Sequence, residues 1–330
     1  MQLYDYGLST LEQYGLTAET SARTRGALLC RTEKGLLILK EFRGSENKLE
    51  KQQELLTGLR RKGIYVDDYV RNNEGKLISR DKDEISFTLR SWYEGRECDT
   101  KVREDIMEGI RTLARLHTVM TLEPVEEYRE KSLREEYTRH NQELRKIRKF
   151  IRKKRPSGVF EKEFLTSVES FLKRGEQALL MLASSGYEEL REKAWEEGCV
   201  CHGEYSQHNV LMLGGGKTAV VNFGKWNFDI QMADLYKFMR KILEKYNWDL
   251  KLAMDMLKTY HLVRPISVPE WENLKIRFTY PEKYWKLANY YYSHNKAWIS
   301  EKNVEKLKIL IKQQEKWEKF TERCFGFYPF

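Results

Sequence analysis

The sequence holds no run approaching the roughly twenty consecutive apolar residues that a membrane-spanning helix needs. Its opening, MQLYDYGLST, has neither a basic n-region nor an apolar stretch of the kind that directs secretion. These absences predict a cytoplasmic chain with no membrane partner. Cysteine is scarce: Cys30, Cys98, Cys199, Cys201 and Cys324 are odd in number and mostly scattered, which argues against a disulfide framework and predicts reduced thiols. Strong breakers between long helical stretches are equally few, Pro156-Ser157-Gly158 being the one that stands out, and no internal repeat is visible. A solenoid is thereby excluded, and the helical region reads as one domain.

What is present is a globular composition of 330 residues, 41% hydrophobic, with a formal charge of +9. Such a charge attracts acidic proteins, nucleic acids and anionic surfaces without choosing among them. Much of the excess lies in KIRKFIRKKR, Lys146 to Arg155, where Ile147, Phe150 and Ile151 fall at helical spacing and cations fill the other faces. That pattern predicts a solvated helix face. No nucleic-acid motif accompanies it, so a nucleic-acid or acidic-partner binder is the second alternative rather than the expected role.

Two strands around a Glu33-Lys34-Gly35 turn are predicted over residues 26–42, followed by a helix capped by Ser45, carried by Leu49, Leu55, Leu56 and Leu59, and stopped at Lys62-Gly63. Short strands are expected at Ile64 to Val70, Gly75 to Ser79 and Ile85 to Trp92. After Glu94-Gly95 the period becomes helical, beginning with Ile106, Ile110, Leu113 and Leu116. Gly198 to Phe223 interrupts it with short apolar segments separated by loops, and the functional site is expected there. The prediction is therefore an α+β chain with a small antiparallel sheet and one helix over 1–94, joined to a mainly helical lobe over 95–330. Aromatics crowd the end of the chain, from Tyr280, Tyr284 and Trp285 through Trp298 to Phe325, Phe327, Tyr328 and Phe330; packing explains them, with anchoring on a partner as the alternative.

The segment His202-Gly203-Glu204-Tyr205-Ser206-Gln207-His208-Asn209-Val210-Leu211 resembles the catalytic loop of the aminoglycoside phosphotransferases, H-G-D-x-x-x-x-N-(I/V)-L. Thirteen residues past Asn209, Val221-Asn222-Phe223-Gly224 stands where that family places a magnesium-binding acid, and Asp234-Leu235 matches the element that opens the next helix. The resemblance implies a two-lobed, protein-kinase-like fold. It implies Glu204 as catalytic base or orienter, His202 as a structural loop residue, Asn209 and Asn222 as the metal positions, and Asp234 as a support for the loop. It further implies Lys40, at the end of Leu36-Leu37-Ile38-Leu39, as the phosphate-binding lysine, with Glu50 or Glu54 as its ion-pair partner. Ser91-Trp92-Tyr93-Glu94-Gly95-Arg96, Ala114-Arg115-Leu116-His117 and the Asp234 segment narrow the resemblance to the CotS-type spore-coat proteins, which are kinase-like. That implies spore-coat proteins as partners and a location in the mother-cell cytoplasm and then the coat.

Two acids depart from the pattern. Glu204 is one methylene longer than the family's aspartate, and Asn222 lacks the negative charge a hard divalent cation needs. The expectation is a catalytically impaired, pseudokinase component, with binding of ATP and magnesium in doubt. The alternative is an active ATP-dependent phosphotransferase that uses Glu204 and Asn209 on a small-molecule acceptor the sequence does not identify. Between Ser21 and Cys30 only Gly26 could permit close approach of backbone to phosphate. Other chemistry is excluded by pattern. Gly214-Gly215-Gly216-Lys217-Thr218 has Leu211 where a Walker A loop needs glycine, and Cys199 and Cys201 share a strand face that His202 leaves, so no structural metal is expected.

Overall fold

The structure is a computed structural model that describes residues 6–293 and 300–330; Trp298 lies outside the described residues. The chain divides into two compact units, residues 1–122 with 202–226, and residues 123–201 with 227–330.

A 3-10 segment, Leu8–Tyr14, leads into the antiparallel strands β1 (Thr20–Thr24), β2 (Ala27–Thr32) and β3 (Gly35–Glu41). Helix α1 (Glu46–Arg61) follows, and the Ser45 side chain caps it by accepting from the Lys48 N–H. Its inward face is Leu49, Gln52, Leu55, Leu56 and Leu59. The apolar stretch expected as one strand over 64–70 is broken at Asp67-Asp68 into β4 (Tyr65–Val66) and β5 (Tyr69–Val70). Then come β6 (Ile78–Arg80), β7 (Ser86–Ser91), β8 (Arg96–Glu97) and α2 (Arg103–Val119).

The sheet order β1-β2-β3-β7-β5 makes one face apolar and the other polar, because successive side chains alternate across a strand. Leu37, Leu39, Phe87 and Leu89 pack on Leu11, Tyr14, Leu16, Leu28 and Cys30. Truncating one of these leucines to alanine would cost about 2–5 kcal/mol. On the opposite face, Ile38 is paired with Arg90 and Lys40 with Thr88. A buried arginine on a sheet strand needs a reason, and the reason is a cavity.

The second unit begins with α3 (Leu133–Lys154), α4 (Val159–Ser184), α5 (Tyr187–Glu196) and β9 (Val200–Cys201). The chain then enters the first unit for β10 (Val210–Met212) and β11 (Thr218–Val220), where β10 pairs with β8 and β11 runs parallel to β4. It ends in the second unit with β12 (Asn227–Phe228), α6 (Met232–Lys245), α7 (Leu250–His261), α8 (Val268–Thr279), α9 (Glu282–Ser293) and α10 (Glu301–Cys324).

The basic run on α3 finds its acids on α4: Arg145 with Glu176, Arg148 and Arg152 with Glu169, and Lys154 with Glu161. The descending partner numbers show the two helices to be antiparallel, and Ile147 and Ile151 are buried. Stacked rings hold this unit together, Tyr137 on Tyr280 at 3.6 Å and Phe171 on Tyr284 at 3.9 Å between centroids. The terminal aromatics pack at home: Phe325 lies 4.9 Å from the Trp271 ring, Phe330 stacks on His261, and the Tyr328 hydroxyl donates to the Ile266 carbonyl at 2.6 Å. Phe327 alone of them is largely exposed.

Candidate functional site

The first unit encloses a cavity of about 440 Å³ on the polar face of its sheet. Strand β3 contributes Lys40, β7 Arg90, α1 Lys48 and Gln52, the 202–209 loop Glu204 and Asn209, and the turn after β11 Asn222 and Lys225. Residues far apart in sequence thus converge on one space, with Glu204, Asn209 and Asn222 among them.

The loop is shaped by its own side chains. Gly203 adopts φ +80°, a left-handed conformation that glycine enters without a Cβ penalty. His202 is fully buried; its Nδ1 accepts from the Glu204 N–H at 3.2 Å, so its Nε2 carries the proton and donates to the Val221 carbonyl at 3.0 Å. The imidazole joins the loop to the end of β11, with both nitrogens committed. Tyr205 is buried too, and its hydroxyl donates to the Gly109 carbonyl on α2 at 2.7 Å.

Asn222 also stands in the left-handed region, at φ +68° and ψ +52°. Asparagine and aspartate tolerate that conformation better than other residues with a side chain, because a short polar group can bond locally. The turn places Asn222 at the centre of a network. Its N–H donates to both oxygens of Asp67 at 3.2 Å, its Nδ2 donates to Asn209 Oδ1 at 2.9 Å, and its Oδ1 accepts from Arg90 Nη2 at 3.2 Å. Asn209 Nδ2 donates in turn to the Glu204 carbonyl at 2.9 Å. Arg90 Nη1 donates to Asp67 at 2.5 Å, and both of these side chains are buried. Burial pushes the Asp67 carboxyl up, while Arg90 and the Asn222 N–H pull it back down.

These contacts decide whether a divalent cation fits. The amide oxygens it would need are engaged, Asn209 Oδ1 by Asn222 and Asn222 Oδ1 by Arg90. An ion bound there would also sit beside a guanidinium. As folded, the donor set does not fit magnesium, which requires anionic oxygen and near-octahedral geometry.

Lys40 opens into the cavity and makes no ion pair among the described residues. Burial of its surroundings lowers its pKa first, Arg90 and Lys225 lower it further, and Glu204 and Asp67 oppose them. The expected partners are elsewhere: Glu50 pairs with Arg71 and Glu54 with Lys51. Helical phase explains this. With Leu49 and Leu56 facing inward, positions 50 and 54 turn outward and the polar side chains that α1 presents to the cavity are Lys48 and Gln52. Asp229 is largely buried in the second unit and pairs with Arg277 at 3.1 Å. Asp234 belongs to that unit as well, fully buried in the first turn of α6, where it raises the pKa of Lys237 against the effect of burial.

Sequence reasoning missed Asp67 and Arg90. A signal existed for each, an acid pair splitting an apolar stretch and an arginine in the middle of the strand SFTLRS.

The fold is similar to that of solved phosphotransferases. An aminoglycoside phosphotransferase from Alicyclobacillus acidocaldarius matches with a TM-score of 0.84 at 17% identity, over 96% of this chain and 94% of that one. A spectinomycin phosphotransferase, APH(9)-Ia, in complex with ADP and spectinomycin, matches with a TM-score of 0.63 at 12% identity, over 95% and 96%. The amicoumacin kinase hAmiN, in complex with AMP-PNP and Ca2+, matches with a TM-score of 0.55 at 13% identity, over 96% and 88%. At these identities the likeness establishes the fold alone, a mixed α+β kinase-like fold with an N-terminal antiparallel sheet and a helical C-terminal part. The resemblance to kinase-like coat proteins is borne out by a match over residues 9–324, and the chain belongs to the family described as "Spore coat putative kinase YutH".

Proposed function

We propose that this chain is a catalytically impaired member of its kinase-like family, acting as a structural or interaction component of the spore coat. One observation carries the reading: the family's metal-binding acid is Asn222, and its carbonyl oxygen is held by the Arg90 guanidinium at 3.2 Å. Phosphoryl transfer depends on positioning and charge neutralisation, so a missing metal site removes most of what catalysis requires. The outward-turned Glu50 and Glu54 support the same reading, because the lysine–glutamate pair that orders phosphates in protein kinases has no counterpart at Lys40 among the described residues. The proposed setting is the mother-cell cytoplasm followed by the coat, with other coat proteins as partners. No described helix is long and apolar enough to cross a membrane.

The test is single-turnover consumption of γ-labelled ATP with excess magnesium. The unaltered chain is expected to show no phosphate release or transfer above background. The double variant Glu204→Asp with Asn222→Asp, which restores both family acids, is expected to gain hydrolysis if Arg90 yields the new carboxylate to the metal. Steady turnover by the unaltered chain would overturn the reading and make the protein an active phosphotransferase using Glu204 and Asn209.

A further inference from the structure

A cavity that does not fit magnesium is nevertheless built for negative charge. Six lysine and arginine side chains line it against two carboxylates, Glu41 and Glu204. Some of this charge is internally matched, by Arg43 with Glu41, Arg25 with Glu97, and Arg90 with Asp67. The volume of about 440 Å³ falls in the range of small-molecule sites, far more than a single bound ion needs.

Arg90 is the unusual member. Its side chain is 4% exposed, yet it lines the cavity, and its Nε is buried with no hydrogen-bond partner. Because that Nε is out of reach of solvent, Arg90 offers a ligand the charge of its guanidinium rather than this donor. It also stands beside Asn222, where the family pattern calls for a metal ligand.

We propose that this cavity binds a linear phosphate chain, that of a nucleoside triphosphate or of inorganic polyphosphate, without a divalent cation, the Arg90 guanidinium together with Lys40 and Lys225 supplying the positive charge. This rests on the reading that the metal site is disabled. The cations come from β3, β7, α1 and the turn after β11, an arrangement that suits a chain of several phosphates better than one. Guanidinium and ammonium groups are the ordinary protein partners of phosphate oxygens, arginine by a planar fork and lysine as a point charge. The state of Lys40 is consistent: its lowered pKa reflects burial and the neighbouring cations, a penalty that a bound polyanion relieves. Magnesium then acts against binding. It cancels part of the ligand charge before the ligand arrives, and it brings a second cation up to Arg90.

Calorimetry of the full chain with ATP and with inorganic tripolyphosphate, each in EDTA and in excess magnesium, tests the proposal. Binding of at least one ligand is expected in EDTA, weakened roughly tenfold by magnesium and weakened by added salt. Lys40→Met and Lys225→Met should each lower metal-free affinity several-fold, Glu204→Gln should raise it, and Lys302→Met on α10 should leave it unchanged. Equal affinity for both ligands assigns the site to the phosphate chain alone; ATP binding without tripolyphosphate binding assigns it to a nucleotide. The proposal is overturned if a folded protein binds neither ligand in EDTA, or binds only when magnesium is present. Binding of neither ligand leaves the impaired-kinase reading standing, since that reading falls on turnover with magnesium and ATP; binding only with magnesium would count against the disabled metal site as well.

Discussion

Each unit of the molecule buries an arginine–aspartate pair, and the two pairs have different surroundings. In the second unit, Arg277 donates to Asp229 at 3.1 Å and through Nε to Asn273 at 2.8 Å, with side chains 5% and 9% exposed. In the first, Arg90 and Asp67 are 4% and 0% exposed, but Arg90 borders an open cavity and keeps a donor unsatisfied. Burial alone does not separate a structural pair from one at a site. The open volume that Arg90 borders does.

The sharpest test of the contrast is to break the sealed pair. Asp229→Ala leaves the Arg277 guanidinium buried without its carboxylate and should cost about 3–5 kcal/mol in chemical unfolding. Affinity for anions in the first-unit cavity should not change. A loss below about 1 kcal/mol would mean that the pair is no more structural than a surface one.

Nearly as large an effect is expected from acid. Burial, then Arg139 and Lys286, lower His140 to about 4 against the opposing pull of Glu282, and the ring stacks on Trp285 at 3.4 Å between centroids. The unfolded histidine binds a proton near its ordinary 6.5, so between there and pH 4 the unfolded state is the more protonated one. The stability is fully present above about pH 6.5 and is lost as pH falls towards 4, with a total on the order of 3 kcal/mol. His140→Phe keeps a ring in the stack and removes the titration. Its thermal midpoint should fall less than that of the unaltered chain between pH 7 and pH 4.5, and equal falls would remove His140 as the cause.

In the first unit, Arg90→Met should cost less than Asp229→Ala, about 1–3 kcal/mol, because burial already favours protonation of Asp67 and the stranded acid can neutralise itself. Denaturant midpoints of the two variants compare the pairs directly. A cost equal to that of Asp229→Ala would erase the distinction.

The smallest change in stability is expected from Asn222→Asp, within about 1 kcal/mol. The new carboxylate gains a charge-assisted bond from Arg90 but can no longer donate to Asn209 Oδ1. Magnesium affinity in the presence of ATP should rise only modestly, because Arg90 competes for the added oxygen. A large rise measured by calorimetry would show that Arg90 yields its place easily.

The parts of this arrangement that were legible in the sequence are local. The β2–β3 hairpin, the Ser45 cap and the spacing from His202 through Asn222 are each written within one continuous stretch of chain, where period, capping chemistry and turn residues act directly. Strand β1 escaped notice because TSART is polar and mostly exposed, giving no alternation to read. The outward placement of Glu50 and Glu54 was open to anyone phasing α1 from Leu49, which already turns Gln52 inward. The network of Asp67, Arg90 and Asn222 was not legible. Its members lie 23 and 132 residues apart, and only tertiary packing brings an arginine against an asparagine in a left-handed turn.

The central claim, that Arg90 and Asn222 leave no place for a divalent cation, is tested most directly by titrating Mn2+ into the protein with a non-hydrolysable ATP analogue and following the free-ion signal by electron paramagnetic resonance. The account predicts that the protein removes no more Mn2+ than the nucleotide alone does. A protein-dependent loss of signal that disappears in Asn222→Ala would contradict it.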